Sequence, residues 1–65
     1  MTITLNGSPR DISDGATIAS LLVELKLTPD KVAVELNRRL VRSEKYDTPL
    51  KSGDVVEIVT FVGGG

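Results

Sequence analysis

The amino-acid sequence predicts an α+β fold, in which one helix packs on one face of a mixed sheet of four or five strands. Three features of the 65-residue chain favour this fold class. Strand-like segments occupy both ends of the chain, a single helical stripe of apolar residues lies between them, and a short hairpin pattern follows the helix. Because the two terminal strands are apolar, we expect them to lie side by side and parallel in the middle of the sheet.

An N-terminal hairpin comes first. Residues 2–5 alternate polar and apolar side chains, which is typical of a half-buried strand. Asn6-Gly7 favours a type I′ turn, because that turn needs positive φ at both central residues. The return strand spans residues 8–12, and Pro9 places it at a sheet edge because proline has no N–H to donate.

One helix follows this hairpin. Thr17 is a suitable N-cap, but Ser20 stands where a capping box would have Glu or Gln, so we expect the box to be incomplete. Four apolar residues at helical spacing form a stripe for the core. They are Ile18, Leu21, Leu22 and Leu25. Leu27-Thr28-Pro29 is predicted to end the helix, because proline disfavours the α region for the residue before it.

The second half of the chain supplies the remaining strands. Residues 32–36 are predicted as a third strand, Asn37-Arg38 as a two-residue turn, and residues 39–41 as a short fourth strand. Residues 43–48 show no periodicity and are predicted as a loop with at most one helical turn. Within this loop we expect Tyr46 to be half buried.

The last strand is predicted to begin after a turn at Ser52-Gly53-Asp54, and to run from Val55 to Phe61 or Val62. Alternation directs two of its side chains toward the helix, Val56 and Ile58, and three toward the opposite face, Glu57, Val59 and Phe61. We hypothesise that Val59 and Phe61 form an apolar patch that docks on partner proteins. The alternative is that Phe61 folds over the sheet edge and completes the core.

Composition excludes several functions. With no cysteine and no histidine, the chain has neither a Cys/His metal site nor a Ser-His-Asp or Cys-His triad. Two aromatic residues and a net charge of −1 argue against nucleic-acid binding. No apolar run reaches the ~20 residues of a membrane span, and no signal region follows Met1. The composition predicts a soluble cytoplasmic protein.

The remaining candidate for chemistry is the C-terminal end. We expect residues 1–61 to form the domain and residues 62–65 to form a flexible glycine tail. Glycine has no Cβ, so Gly63, Gly64 and Gly65 make a narrow segment, which can extend with Val62 about 13–14 Å beyond the last strand. The tail is predicted to present the α-carboxylate of Gly65.

A second surface hypothesis concerns a basic cluster that follows the third strand. It consists of Arg38, Arg39, Arg42 and Lys45. These residues either form a solvated hairpin tip and loop, or make a salt-sensitive contact with an acidic partner that mainly raises the association rate. Arg38 and Arg39 are the candidates for that contact.

In combination, these features resemble the ThiS family, the sulfur carriers of thiamine biosynthesis, which have the ubiquitin-like β-grasp fold. The resemblance covers essentially the whole chain and is carried by Asn6-Gly7, the helix at residues 17–25, Asn37 with Val41, Gly53-Asp54 and the final Gly64-Gly65. Gly63, an extra glycine before the pair, departs from the pattern and lengthens the tail.

The resemblance implies a carrier that is not itself an enzyme and binds no cofactor. A ThiF-type partner would use ATP to adenylate the carboxylate of Gly65. A sulfur donor, either a cysteine desulfurase or a rhodanese-like persulfide, would then displace AMP to give a thiocarboxylate. A ThiG-type thiazole synthase would receive the sulfur. Gly63 and Gly64 would thread into the partners' active sites, where larger side chains would clash.

Three alternatives stay open at this point. The chain could be the sulfur-carrying small subunit of molybdopterin synthase, although those chains are usually longer. It could be a ubiquitin-like modifier that is linked through Gly65 to lysines of target proteins. It could also be a β-grasp interaction or RNA-binding module, but this function leaves the glycine tail unexplained.

Overall fold

The structure is a computed structural model, and it describes residues 1–61. Within this range the chain forms five strands, one α-helix and two single-turn 3₁₀ helices. The strands are β1 (Thr2–Leu5), β2 (Ser8–Asp11), β3 (Val32–Leu36), β4 (Arg39–Val41) and β5 (Val55–Thr60). The helix is α1 (Ile18–Glu24), and the 3₁₀ turns are Pro29–Lys31 and Ser43–Lys45. The predicted tail at residues 62–65 lies outside the described residues.

The five strands form one mixed sheet in the order β2-β1-β5-β3-β4. β1 and β5 are parallel neighbours, as predicted, with Leu5 opposite Val56. β5 also pairs with β3 in antiparallel register, from Val32 opposite Thr60 to Leu36 opposite Val56. β2 is an edge strand, which confirms the position expected from its proline. The last strand is therefore the central one.

Both hairpins turn through type I′-like backbone angles. Asn6 and Gly7 have φ of 48° and 85°, and Asn37 and Arg38 have φ of 52° and 71°. The two asparagines also hold the central strand. The Asn6 Oδ1 accepts a hydrogen bond from the Ile58 N–H at 2.8 Å, and its Nδ2 donates to the Ile58 carbonyl at 3.3 Å.

Asn37 makes the corresponding contacts at the other end of β5. Its backbone N–H donates to the Val55 carbonyl at 2.7 Å, and its Oδ1 accepts from the Val55 N–H at 2.9 Å. Its Nδ2 donates to Asp54 Oδ1 at 3.0 Å, while Asp54 Oδ2 accepts from the Lys51 N–H at 2.8 Å. Asp54 is a turn residue, as predicted.

The two ends of α1 differ from the prediction. The capping box is complete: Thr17 Oγ1 accepts from the Ser20 N–H at 3.0 Å, and Ser20 Oγ accepts from the Thr17 N–H at 2.9 Å. The serine hydroxyl thus does what Glu or Gln usually does. The helix ends at Glu24, earlier than expected, because Lys26 takes φ of 61° and the last turn closes as a Schellman motif.

The core lies between α1 and one face of the sheet, here called the inner face. Its most deeply buried side chains come from both layers, and they are Ile3, Ile18, Leu21, Leu22, Val34 and Val56. Tyr46 is 6% exposed, so the half-buried position predicted for it was wrong. Its backbone carbonyl accepts from the Ala19 N–H at 2.9 Å, which ties the loop to the first turn of α1 and brings the ring into the core.

Candidate functional site

The outer face of the sheet is the face opposite α1. The strand registers place ten side chains there: Thr2, Thr4, Pro9, Asp11, Ala33, Glu35, Leu40, Val55, Glu57 and Val59. Val59 is 60% exposed, and Phe61, which follows β5, is 58% exposed. The predicted exposure of both residues is confirmed. The alternative in which Phe61 completes the core is wrong, because α1 covers only the inner face.

The predicted tail begins where the central strand ends. The Phe61 N–H donates to the Lys31 carbonyl at 2.8 Å, so the antiparallel pairing with the β3 side continues one residue beyond β5. Val59 and Phe61 therefore lie directly before residue 62, on a part of the chain that is paired on the β3 side. Gly63, Gly64 and Gly65 lie outside the described residues, and their roles stay predictions.

Two carboxylates face each other at the centre of the outer face. Glu35 on β3 and Glu57 on β5 are directly opposite in the register, and both are exposed. Neither forms an ion pair within residues 1–61. The two residues are far apart in the sequence. Alternation alone would have placed Glu35 and Glu57 outward, but only the pairing of β3 with β5 makes them neighbours.

Arg38 and Arg39, the predicted basic contacts, lie away from Val59 and Phe61. Arg38 is in the turn beside Val55, at the start of β5, whereas Phe61 follows its end, about 20 Å away along the strand. Arg39 is opposite Leu36 and so belongs to the inner face. The structure does not bring Arg38 and Arg39 together with Val59 and Phe61.

The other two basic residues of the cluster line a separate cavity. Its volume is about 400 Å³, and its walls are Ile18, Leu36, Leu40, Val41, Arg42, Lys45 and Thr48. This cavity lies beside the β4 edge and the start of α1, away from the end of β5. The basic cluster is therefore divided between the hairpin tip and the cavity.

The sequence matches the model of the ThiS family over residues 3–65. The chain belongs to the ThiS family. The match includes the three glycines of the predicted tail as well as the described domain. ThiS-family membership confirms the resemblance that the turn, helix and tail residues indicated.

Curated relatives of this ThiS-family chain are of two lengths. It is 41% identical to the sulfur carrier protein ThiS of Thermus thermophilus over 64 residues, which cover 97% of this chain and 98% of the relative. It is 42% identical to the thiazole synthase of Magnetococcus marinus over 66 residues, which cover all of this chain but 20% of that protein. The chain therefore spans about a fifth of the length of this longer relative.

Solved structures agree with the ThiS fold. The crystal structure of the thiamine biosynthesis protein ThiS from Geobacter metallireducens matches with a TM-score of 0.82 and 36% identity, and each chain is covered completely. A ubiquitin-like protein from Caldiarchaeum subterraneum matches with a TM-score of 0.54 and 21% identity, over 98% of this chain and all of the other. The second likeness concerns the fold alone. The predicted ubiquitin-like β-grasp fold is confirmed.

No helix among residues 1–61 is long and apolar enough to cross a membrane.

Proposed function

We propose that this chain is a sulfur carrier of thiamine biosynthesis and that its reactive group is the carboxylate of Gly65. The observation that carries the proposal is the ThiS family match, which runs through residue 65 and so includes the glycine tail. A relative that is a sulfur carrier has almost the same length. The chain carries the sulfur and is itself the substrate of other enzymes, so it does not act as a catalyst.

The chemistry follows from the properties of a carboxylate. A carboxylate is a poor electrophile, so an ATP-dependent partner of the ThiF type first converts it to an acyl-adenylate. Persulfide sulfur from a cysteine desulfurase or rhodanese-like donor then displaces AMP and forms an acyl disulfide. A thiol attacks the donor sulfur of that bond, which leaves a C-terminal thiocarboxylate on the carrier and a disulfide on the donor. The carrier needs no cofactor of its own. We expect these steps in the cytoplasm, where ATP is available.

A ThiG-type thiazole synthase is the proposed acceptor of the sulfur. In its support, the thiazole synthase of Magnetococcus marinus contains a segment that matches this whole chain. A carrier and its acceptor that share one polypeptide act on each other at high effective concentration. We propose that the folded domain of this chain docks on such an acceptor.

Val59 and Phe61 are the proposed apolar contacts for docking. Their exposure supports this role, since both lie on the outer face beside the start of the tail. Gly63 and Gly64 would enter the narrow active site, where a backbone without Cβ atoms avoids steric clashes. Fixing each of these residues costs roughly 1–2 kcal/mol of backbone entropy, which the docking contacts must offset.

Intact-mass measurement tests the proposal. The purified chain is incubated with ATP, the adenylating enzyme, a persulfide donor and a thiol reductant, and we expect a mass gain equal to the exchange of one oxygen for sulfur. Addition of one alanine after Gly65 should abolish the gain, because Gly65 then has no free carboxylate. Insertion of one glycine before Gly63 is the matched control, because it lengthens the tail equally but keeps Gly64-Gly65 at the terminus, and it should preserve modification.

Each other outcome identifies a different function. Conjugates of high mass, with no sulfur gain, would indicate a ubiquitin-like modifier. Sulfur transfer to a molybdopterin synthase, with none to a thiazole synthase, would assign the chain to that pathway. An alanine-extended variant that retains full activity would refute every function that uses the carboxylate of Gly65.

A further inference from the structure

We propose that the outer face docks on a basic surface of the adenylating enzyme, with Glu35 and Glu57 as its electrostatic contacts. This inference rests on the proposed function, and it names the chemistry of the partner surface. Val59 and Phe61 supply the apolar part of the same contact. The evidence is the arrangement of charge on the sheet and the position of the tail.

The Glu35–Glu57 pair opposes folding. Like charges directly opposite on neighbouring strands destabilise a sheet. Here both carboxylates are exposed, and neither has an ion-pair partner among residues 1–61. The isolated domain gains nothing from this pair. A partner that places an arginine or lysine between the two carboxylates would convert the repulsion into attraction.

The charge of the two faces is segregated. Within the five described strands, each acidic side chain is on the outer face, and these are Asp11, Glu35 and Glu57. Each basic side chain of the same strands is on the inner-face side, and these are Arg10 and Arg39. The outer face therefore presents negative charge beside exposed apolar groups. A basic and partly apolar protein surface is complementary to it.

The same segregation argues against two other occupants. A second copy of this chain, related by a two-fold axis, would place acidic side chains against acidic side chains. A nucleic acid would bring phosphates toward carboxylates. A basic protein surface avoids both repulsions.

The tail limits the partner to enzymes that act on Gly65, and the adenylating enzyme is the one of these that also binds ATP. Residues 62–65 extend at most about 13–14 Å from Phe61, so an enzyme that acts on Gly65 must cover the surface around the end of β5. Glu57 is four residues before Phe61, about 13 Å along the strand. The adenylating enzyme must hold a carboxylate beside the phosphates of ATP. Because both groups are anions, a positive potential in that region attracts them both. The acidic outer face fits that field.

Binding measurements test the proposal. The chain is titrated into the ThiF-type adenylating enzyme by calorimetry at several salt concentrations, as Glu35→Gln, Glu57→Gln and the double variant. Neutralising one charge should raise the Kd about two- to fivefold. The double variant should have a higher Kd than either single variant, and its Kd should depend less on salt than that of the unaltered chain. Glu44→Gln is the matched control, because Glu44 is exposed on the Ser43–Lys45 turn and not on the outer face.

The outcomes are distinct. An unchanged Kd and an unchanged salt dependence in the double variant would overturn the docking inference while adenylation of the unaltered chain upholds the proposed function. An equal loss in Glu44→Gln would show an effect of net charge and would also overturn the inference. If the unaltered chain is never adenylated, the proposed function fails, and the docking inference fails with it. Thermal melts of each variant exclude unfolding as the cause of weaker binding.

Discussion

Lys26 follows α1 in a backbone conformation that usually belongs to glycine. Its φ of 61° places it in the left-handed region, and its N–H donates to the Val23 carbonyl at 3.0 Å in the Schellman motif. Residues with a Cβ are strained there by about 1–2 kcal/mol. The side chain is exposed, so the strain has no visible compensation in packing.

Lys26→Gly should therefore stabilise the domain. We expect a gain of about 0.5–1 kcal/mol in the free energy of unfolding, because the relief of strain exceeds the extra entropy of glycine in the unfolded chain. Chemical denaturation measures it. Lys51→Gly is the control, since Lys51 has no positive φ and the same substitution there should lower stability. A loss of stability in Lys26→Gly would show that the left-handed conformation costs little.

Glu57→Gln should also raise stability. It removes the repulsion from Glu35 but keeps the size and the polar character of the side chain. We expect about 0.2–1 kcal/mol, the usual value of a cross-strand pair. For a domain of this size, that corresponds to a rise in Tm of about 1–8 °C. Glu44→Gln should leave Tm unchanged, and an equal rise there would point to net charge instead of the pair.

At the scale of single residues, the sequence predicted the turn conformations and caps that depend on local chemistry. The positive φ of the Asn6-Gly7 turn follows from the residues themselves, and so does the cap at Thr17. Two other features are less common for their residue types and were not expected. The Ser20 hydroxyl completes the capping box, and Lys26 takes a left-handed conformation. The Glu35–Glu57 pair depends on the pairing of β3 with β5, which are distant in the sequence, so the residue types alone do not predict it.

The central strand β5 depends on two asparagine side chains as well as on its neighbours. β1 pairs with it directly at Thr4–Val55 and Leu5–Val56. The Asn6 side chain extends that contact to Ile58 by bonding both its N–H and its carbonyl. A turn residue thus acts as one more step of the parallel ladder, and it stabilises β5 toward the end where the tail begins.

Asn6→Gly should weaken this end of the strand. Glycine keeps the positive φ of the turn but loses both side-chain hydrogen bonds, so we expect a loss of about 1–3 kcal/mol. Amide hydrogen exchange should show faster exchange at Ile58. Asn37→Gly is the matched variant, and it should instead expose Val55, whose N–H bonds to the Asn37 side chain. If the Ile58 amide exchanges as slowly in Asn6→Gly as in the unaltered chain, the Asn6 side chain does not stabilise this part of β5.

The element order was predictable because each segment carries its own signal. Alternation marked the strands, and helical spacing marked the stripe of α1. The boundaries were less accurate, since the helix stops at Glu24 and β5 at Thr60. Tyr46 was misplaced because its burial depends on how the loop after β4 packs against α1, a long-range contact that no local pattern encodes.

The whole molecule separates its functions between two faces. The inner face and α1 contain the core, while the outer face is free of helix and carries exposed apolar and acidic side chains. The central position of β5 places the start of the tail next to that outer face. The exposure of Val59 and Phe61 was predictable from the sequence. The sequence did not show that the other candidate contacts, Arg38 and Arg39, lie at the opposite end of β5.

This arrangement gives a test at the scale of the whole molecule. Phe61→Ser should lower kcat/KM for adenylation about tenfold, the loss typical of a central apolar contact in an interface. At saturating concentrations of the chain, kcat should be retained, because Phe61 contributes to docking and not to the chemical step. Since Phe61 is 58% exposed, the variant should keep a Tm close to that of the unaltered chain.

Val23→Ser is the matched control. Val23 is 75% exposed on α1, away from the outer face, so it is an apolar side chain that is more accessible to solvent than Phe61. If docking uses the outer face, Val23→Ser leaves kcat/KM unchanged while Phe61→Ser lowers it. Equal effects of both variants would show that exposed apolar area anywhere on the molecule matters. No effect of either would place the contact of the adenylating enzyme on other residues, because a carrier whose tail reaches only about 13–14 Å must still be held close to the active site by its folded domain.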